Sequence, residues 1–364
     1  MNLIKLLIVI IFELTNPMKK LNYFSVFLLP ISTWISFNFS GFWTFLPLII
    51  FFVLVPLIEL ILEPNTENLN IHEKEQLEKD PFYDWILFSM LPIQWFFLLY
   101  FLQNISSWAY STDLTGRIIS MGIMCGIIGI NVGHELGHRM KSWQRFIGEA
   151  LLFTSLENHF LPYHNRGHHT NVGTPSDAAT ARKNEPLYFF WFRSQFGSYI
   201  QAWQIEIKRM EIIKKPWYHW SNKMIQYSVF YFIWLITLFI LLGKFTLYSY
   251  LLACGIGIIL LESVNYIEHY GLMRKQRENG TYETVKLWHS WNSNHIIGRV
   301  VLFELSRHSD HHYKADKPYQ ILESYEQSPI MPTGYPGMII LALVPPLFFR
   351  VMNKHVDAIQ SKHP

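Results

Sequence analysis

Apolar and polar positions along this chain are segregated into long blocks. Six apolar stretches approach membrane length: 21–39, 41–62, 84–104, 117–137, 224–242 and 246–266. A helix of about 20 apolar residues spans a bilayer, so the pattern predicts an all-α integral membrane protein with six transmembrane helices. Only Ser40-Gly41 separates the first two, and Gly243-Lys244-Phe245 the last two, so each pair reads as a helical hairpin. Trp85, Tyr100, Tyr227 and Tyr248 lie near segment ends, as in interfacial belts. An earlier run, Leu3 to Leu14, is too short to span, and Thr15-Asn-Pro-Met18 is not a small-x-small cleavage site. Met18 is therefore expected to be the true or alternative start, with residues 1–20 an N-terminal extension to a single domain over 21–364. The run Met338 to Phe349 is broken by Pro345-Pro346 and is expected to lie at the interface or against the polar segments.

Charge fixes the expected orientation. Of 30 Lys and Arg residues, 28 fall before residue 21, in 63–83, in 138–223 or in 267–364; Arg117 and Lys244 are the exceptions. The positive-inside bias places those segments, and both termini, on the cytoplasmic side. Residues 138–223 and 267–364 are too long for loops and read as a helical cytoplasmic cap, with an amphipathic stretch near Phe196–Ile213. Only 16% of residues are charged and half are hydrophobic, which agrees with a membrane protein. A net charge of +3 gives no sign of nucleic-acid binding. Cys125 and Cys254 lie in apolar runs and do not read as a disulfide; two cysteines cannot supply a four-thiolate iron domain.

The chemistry lies in histidines. His164, His168 and His169 fall within six residues; on a helix, His164 and His168 share a face, with His169 beside them. His134 and His138 form a second cluster, His308, His311 and His312 a third, and His269 stands alone after the sixth apolar segment. The orientation puts all of them at the cytoplasmic side. Neutral imidazole is the commonest protein ligand for iron, zinc and copper. Nine rings exceed what one ion can take, so two metals with four or five nitrogens each are expected. The other seven histidines, His72, His159, His219, His289, His295, His355 and His363, read as ordinary hydrogen-bonded side chains, although His159 and His289 lie close to clusters.

Two other classes compete. His134-Glu135-Leu-Gly-His138 matches H-E-x-x-H, a zinc protease helix with Glu135 as general base. That motif alone favours a protease but leaves the other clusters unexplained. A metal transporter is the non-enzyme alternative, but transporters place polar groups at the bilayer midplane, and here the histidines gather at the cytoplasmic ends.

The segments His134–Arg139, His164–His169, Asn265–Leu272 and Arg307–His312, in this order, resemble those of the membrane-bound alkane 1-monooxygenases, within the wider fatty-acid desaturase and hydroxylase superfamily. The similarity extends through His289–Ser293 and Pro332–Gly337. The resemblance implies a non-haem di-iron centre, dioxygen as oxidant, and electrons from a separate rubredoxin served by an NADH-dependent reductase. It also implies a bacterial inner-membrane location and hydroxylation of medium-chain n-alkanes to 1-alkanols. A desaturase or hydroxylase of fatty acyl chains or alkylbenzenes is the related alternative. Arg139, Tyr163, Glu157-Asn158 and Ser306 depart from the family pattern, where Lys, Glu, Tyr-Gly and Gln are usual; none is a ligand.

Metal-bound imidazoles are usually oriented by carboxylates or carbonyls behind them. Glu135, Asp177, Glu262, Glu268 and Asp310 are the candidates for that role. An alkane has no polar handle, so a channel lined by the apolar faces of helices two to four and six is expected to hold it. Arg182, Lys183, Lys208 and Arg209 are candidates for docking an acidic carrier.

Overall fold

The computed structural model describes residues 20–108 and 112–363. The expected extension up to Lys19 lies outside the described residues. Every regular element among the described residues is helical, with two isolated β-bridges and no strand.

A 3-10 stretch, Lys20–Phe27, leads into α1 (Leu28–Asn38). The chain then reverses at Gly41, whose φ of +66° suits glycine and whose N–H donates to Asp113 Oδ1 at 2.9 Å. There α2 (Gly41–Glu59) begins. A capping box of Asn70 and Glu73 starts α3 (Ile71–Lys79), and Asp80 caps α4 (Pro81–Asn104). Next come α5 (Thr112–Gly137) and α6 (Ser142–Phe153). Residues 160–171 form α7, and α8 is Leu187–Ile212. Then α9 (Lys223–His269) is two helices joined at Gly243, where φ 79° and ψ 172° break the helix. Trp234 and Tyr250 meet across the break, so the halves run antiparallel. Short helices α10 (Ile296–Val301) and α11 (His308–Tyr313) follow, then α12 (Tyr335–Ala342) and α13 (Pro345–Lys362), divided at Pro345-Pro346.

Among the described residues, four helices are long and apolar enough to cross a membrane: Gly41–Glu59, Pro81–Ser107, Thr112–Gly137 and Lys223–His269, the last containing the hairpin. The 21–39 stretch is less apolar. Its Ser32, Thr33 and Ser36 are buried, and Ser36 Oγ lies 2.8 Å from Ser120 Oγ of α5. Helices α5 and α9 pack closely because glycine faces the partner. A Cβ on Gly122 would stand 2.5 Å from Ile256 Cβ, and one on Gly257 2.8 Å from Cys125 Cβ. This packing fixes the ends of α5 and α9, where His134, His138 and His269 sit.

Candidate metal centre

The structure brings the nine clustered histidines together as two adjacent groups. His134, His138, His164, His169 and His311 form one; His168, His269, His308 and His312 form the other. Within each, one ring nitrogen per residue lies within 4.8 Å of all the rest. None of the other seven histidines joins either group among the described residues.

The division departs from the expected pairing of His164 with His168. Residues His164–His168 form a π-helical turn, in which the His169 N–H bonds back to the His164 carbonyl. Such a turn bonds residue i to i+5. It therefore aligns His164 with His169, whose Nε2 atoms are 2.9 Å apart, and turns His168 to the second group. On α11 the ordinary four-residue spacing holds: His308 and His312 share the second group, and His311 faces the first.

Within the groups, Nε2 faces Nε2. His134 meets His138 at 3.0 Å and His311 at 3.2 Å, His269 meets His308 at 3.1 Å, and His168 meets His312 at 3.2 Å. His134 Nε2 faces two other ring nitrogens, so one proton or one lone pair on it cannot serve both at full strength. Two nitrogens about 2.1 Å from one ion on perpendicular axes would stand about 3.0 Å apart, so the donor set fits metal. Burial pushes His164, His169, His308, His311 and His312 well below the ordinary histidine range, and neighbouring rings push them further; burial also holds His138 at about 3. Those six rings are thus held neutral, as ligation requires.

Two of the five candidate carboxylates touch imidazoles. Asp177 Oδ2 lies 3.0 Å from His168 Nδ1, behind the ring. It also accepts from Thr180 Oγ1 at 2.6 Å, and Tyr163 OH donates to Oδ1 at 2.5 Å. Burial alone would raise the Asp177 carboxyl, but the His168 ring and the two hydroxyls outweigh it and hold it at about 2. Glu268 Oε2 is 3.2 Å from His308 Nε2, the inward nitrogen, and its Oε1 accepts from Tyr335 OH at 2.7 Å. The other three expectations are corrected. Glu135 pairs with Arg139 at 3.2 Å, Glu262 accepts from Asn265 at 3.3 Å, and Asp310 holds Lys317 Nζ at 2.5 Å and the Glu323 N–H at 2.8 Å. Side-chain direction, which proximity in sequence does not fix, separates the two sets. Among the described residues, the buried Nδ1 atoms of His169, His308 and His312 have no hydrogen-bond partner.

Residues outside the expected set also position the rings. Asn292 Oδ1 accepts the Ser309 N–H at 2.7 Å, and Ser309 Oγ donates to the Ser290 carbonyl at 2.8 Å. These bonds pin the start of α11 to the 289–293 segment. Tyr163 and Tyr335 act through Asp177 and Glu268, with no sequence spacing to signal them. His159 belongs to a separate buried cluster, 3.3 Å from both Glu157 Oε1 and Ser198 Oγ.

An apolar cavity with about 880 Å³ of empty space, its open mouth included, meets both groups: His134, His164 and His308 line it. Phe51 and Phe52 of α2, Ile130 of α5 and Leu260 of α9 form part of its wall. Contrary to the expected lining, α4 contributes nothing. It packs away from the cavity, with Gln94 bonded to Thr154 and Trp95 to the Ala150 carbonyl. Residues from the segments after α5, among them Phe160, Val301 and Ile339, complete the wall.

Comparison with known proteins places this geometry. A fatty acid desaturase family profile matches residues 106–340. Alkane 1-monooxygenase 1 of Alcanivorax borkumensis is 36% identical over 86% of this chain and 78% of its own length. Alkane 1-monooxygenase of Acinetobacter baylyi is 35% identical over 85% and 76%, and alkane 1-monooxygenase 2 of Pseudomonas aeruginosa 34% over 94% and 93%. The chain therefore belongs to the fatty acid desaturase family and groups within it with the alkane 1-monooxygenases, which are oxidoreductases.

Proposed function

We propose that this chain is a non-haem di-iron monooxygenase that hydroxylates the terminal methyl of a medium-chain n-alkane to a 1-alkanol. The observation that carries this reading is the apolar cavity lined by rings of both histidine groups. Each methylene buried there contributes about 0.8 kcal/mol, the only binding term an alkane offers. Proteins similar to this chain over most of its length are alkane 1-monooxygenases.

In this reading five rings would hold one iron and four the other, and the bound irons would supply the redox chemistry that reduces dioxygen and oxidises the C–H bond. The chain's own residues do the rest. Asp177 accepts the Nδ1 proton of His168 and keeps Nε2 free to ligate. Tyr335 orients Glu268 at the edge of the cavity. The aliphatic and aromatic wall excludes water and directs the chain end toward the rings. With the 21–39 stretch counted as a first span and α9 as two, the proposed topology has six transmembrane helices, and the charge bias supports both termini and the histidines on the cytoplasmic side of the bacterial inner membrane.

Reduced rubredoxin, re-reduced through an NADH-dependent reductase, is the proposed electron donor. Lys183 is paired with Asp357 and Arg209 with Glu206, and Lys208 continues the outward apolar face of α8, which leaves Arg182 as the freest of the four docking cations. The zinc-protease reading is disfavoured because His134 and His138 share their group with three rings from other segments, and Glu135 is held by Arg139.

The test is metal analysis of purified protein with turnover of octane, a fatty acid and a xylene, given rubredoxin, its reductase and NADH. Iron in both groups and 1-octanol dependent on rubredoxin are expected. One zinc without iron would overturn the metal assignment, and oxidation of only the fatty acid or xylene would replace the substrate.

A further inference from the structure

The segments between α5 and α9 contain one long helix whose outer face does not suit water. Along α8, Leu187, Phe190, Ser194, Ser198, Ala202 and Glu206 are buried, at helical spacing. The opposite face carries Phe189, Phe192, Phe196 and Ile200, which are 72, 67, 65 and 55% exposed. Four large apolar side chains in one stripe form a contiguous patch, which marks an interaction surface. The stripe turns polar at Gln204 and Lys208.

The placement of α8 says what covers it. Near its start, Trp191 Nε1 donates to Ser263 Oγ at 2.9 Å, and the Phe190 ring lies 5.3 Å from that of Tyr266; both partners are near the end of α9. Near its other end, Glu206 Oε2 accepts the Lys223 N–H at 2.9 Å, where α9 begins. Because α9 is a hairpin, its beginning and end lie at the same membrane face. Residues 191 and 206 are about 22 Å apart along a helix at 1.5 Å per residue. Thus α8 bridges the base of the hairpin and runs along the membrane plane. Its apolar stripe continues into other exposed apolar surface. Tyr188 OH donates to the Leu343 carbonyl at 2.5 Å, and Leu343, Val344 and Leu347 are exposed beside it. One turn before Ser263, Ile259 of α9 is also exposed. Beyond the helix follow exposed Lys214 and Lys215, then Trp217 and Trp220, the composition of a lipid headgroup boundary.

We infer that α8 is an interfacial membrane helix: Phe189, Phe192, Phe196 and Ile200 sit in the acyl chains of the leaflet facing the histidine groups, and the lysines beyond its C-terminal end meet anionic headgroups. The part of the chain that reads as a cytoplasmic cap is then partly immersed.

The test uses full-length protein in lipid nanodiscs of phosphatidylcholine and phosphatidylglycerol. Nitroxide labels are placed at Phe192→Cys, Phe196→Cys and, as an aqueous control in an exposed loop, Glu278→Cys; Cys125 and Cys254 are buried and do not compete. Power-saturation measurements compare collision with oxygen, which concentrates in lipid, and with a water-soluble nickel chelate. The expected result is an oxygen-to-nickel ratio severalfold higher at 192 and 196 than at 278. A ratio equal to that at 278 would overturn the inference. So would exclusion of both probes at 192 and 196, since that signature belongs to a second copy or another protein covering the stripe. Both labelled sites are outward-facing, and unchanged iron content and elution volume confirm that each variant is folded.

Discussion

Asp177 Oδ2 stands 3.0 Å from His168 Nδ1, and the same carboxylate is held by Tyr163 and Thr180. His168 is the ring that the π-helical turn swings away from His164, into the four-ring group. A ring displaced from regular helical register needs its orientation set from behind, and Asp177 supplies that.

Asp177→Asn is therefore expected to weaken iron binding or turnover by about 10- to 100-fold, the usual cost of losing such a partner. Tyr163→Phe removes one of the bonds that aim the carboxylate and is expected to act in the same direction by less. Iron content and alcohol formation measure both. Wild-type iron and rate in Asp177→Asn would show that His168 is oriented without it.

The two groups should respond separately to ring loss. His269→Ala leaves three rings in its group and five in the other. One iron is expected to go, with alkane oxidation, while the second iron stays. His295→Ala, whose ring bonds to Ser293 Oγ at 3.0 Å and belongs to neither group, is expected to keep both. Metal analysis of the pair separates ligand loss from a general effect of removing a buried imidazole. Both irons and full alkane oxidation in His269→Ala would remove this ring from the metal centre.

Much of this was legible in the chain. Hydropathy located the long helices, and histidines repeated at three- and four-residue spacing pointed to shared faces. The allocation of rings was not legible, because the spacing argument assumes 3.6 residues per turn, and His164–His168 is wound more loosely. Glu135 and Asp310 adjoin ring clusters yet point to Arg139 and Lys317. Neighbourhood along a chain does not fix side-chain direction. The link from Tyr163 to Asp177 depends on how the chain folds after α7, which no local pattern encodes.

Acid should loosen the segment after α11. Burial would raise the Glu323 carboxyl, but bonds to Lys317 and Lys74 outweigh it and hold it at about 2, against 4.5 ordinarily. A depressed folded value adds stability that is present above the unfolded value and lost as pH falls toward the folded one. The window is therefore about pH 4.5 down to 2. Melting temperature is expected to fall across it in wild type. Glu323→Gln should be less stable at neutral pH and should flatten that part of the profile. Parallel profiles for the two proteins would remove Glu323 from the cause.

Glu59, at the end of α2, joins that helix to the segments bearing α10 and α12. Its Oε1 accepts the Gly298 N–H at 2.8 Å. A Cβ on Gly334 would overlap Glu59 Oε2, whereas one on Gly298 would stand 3.1 Å from Oε1. Overpacking a filled interior costs about 1–3 kcal/mol. Gly334→Ala is expected at the upper end of that range and Gly298→Ala below it. Gly255→Ala, with nothing within 4 Å of its added carbon, should be neutral or stabilising. Thermal unfolding in detergent ranks the three. The decisive measurement is the double variant with Glu59→Ala. Removing the carboxylate opens the space that the Gly334 methyl would occupy, so Gly334→Ala should cost much less in that background. An unchanged cost would mean that the glycine is required for the 332–337 turn itself and that contact with Glu59 plays no part.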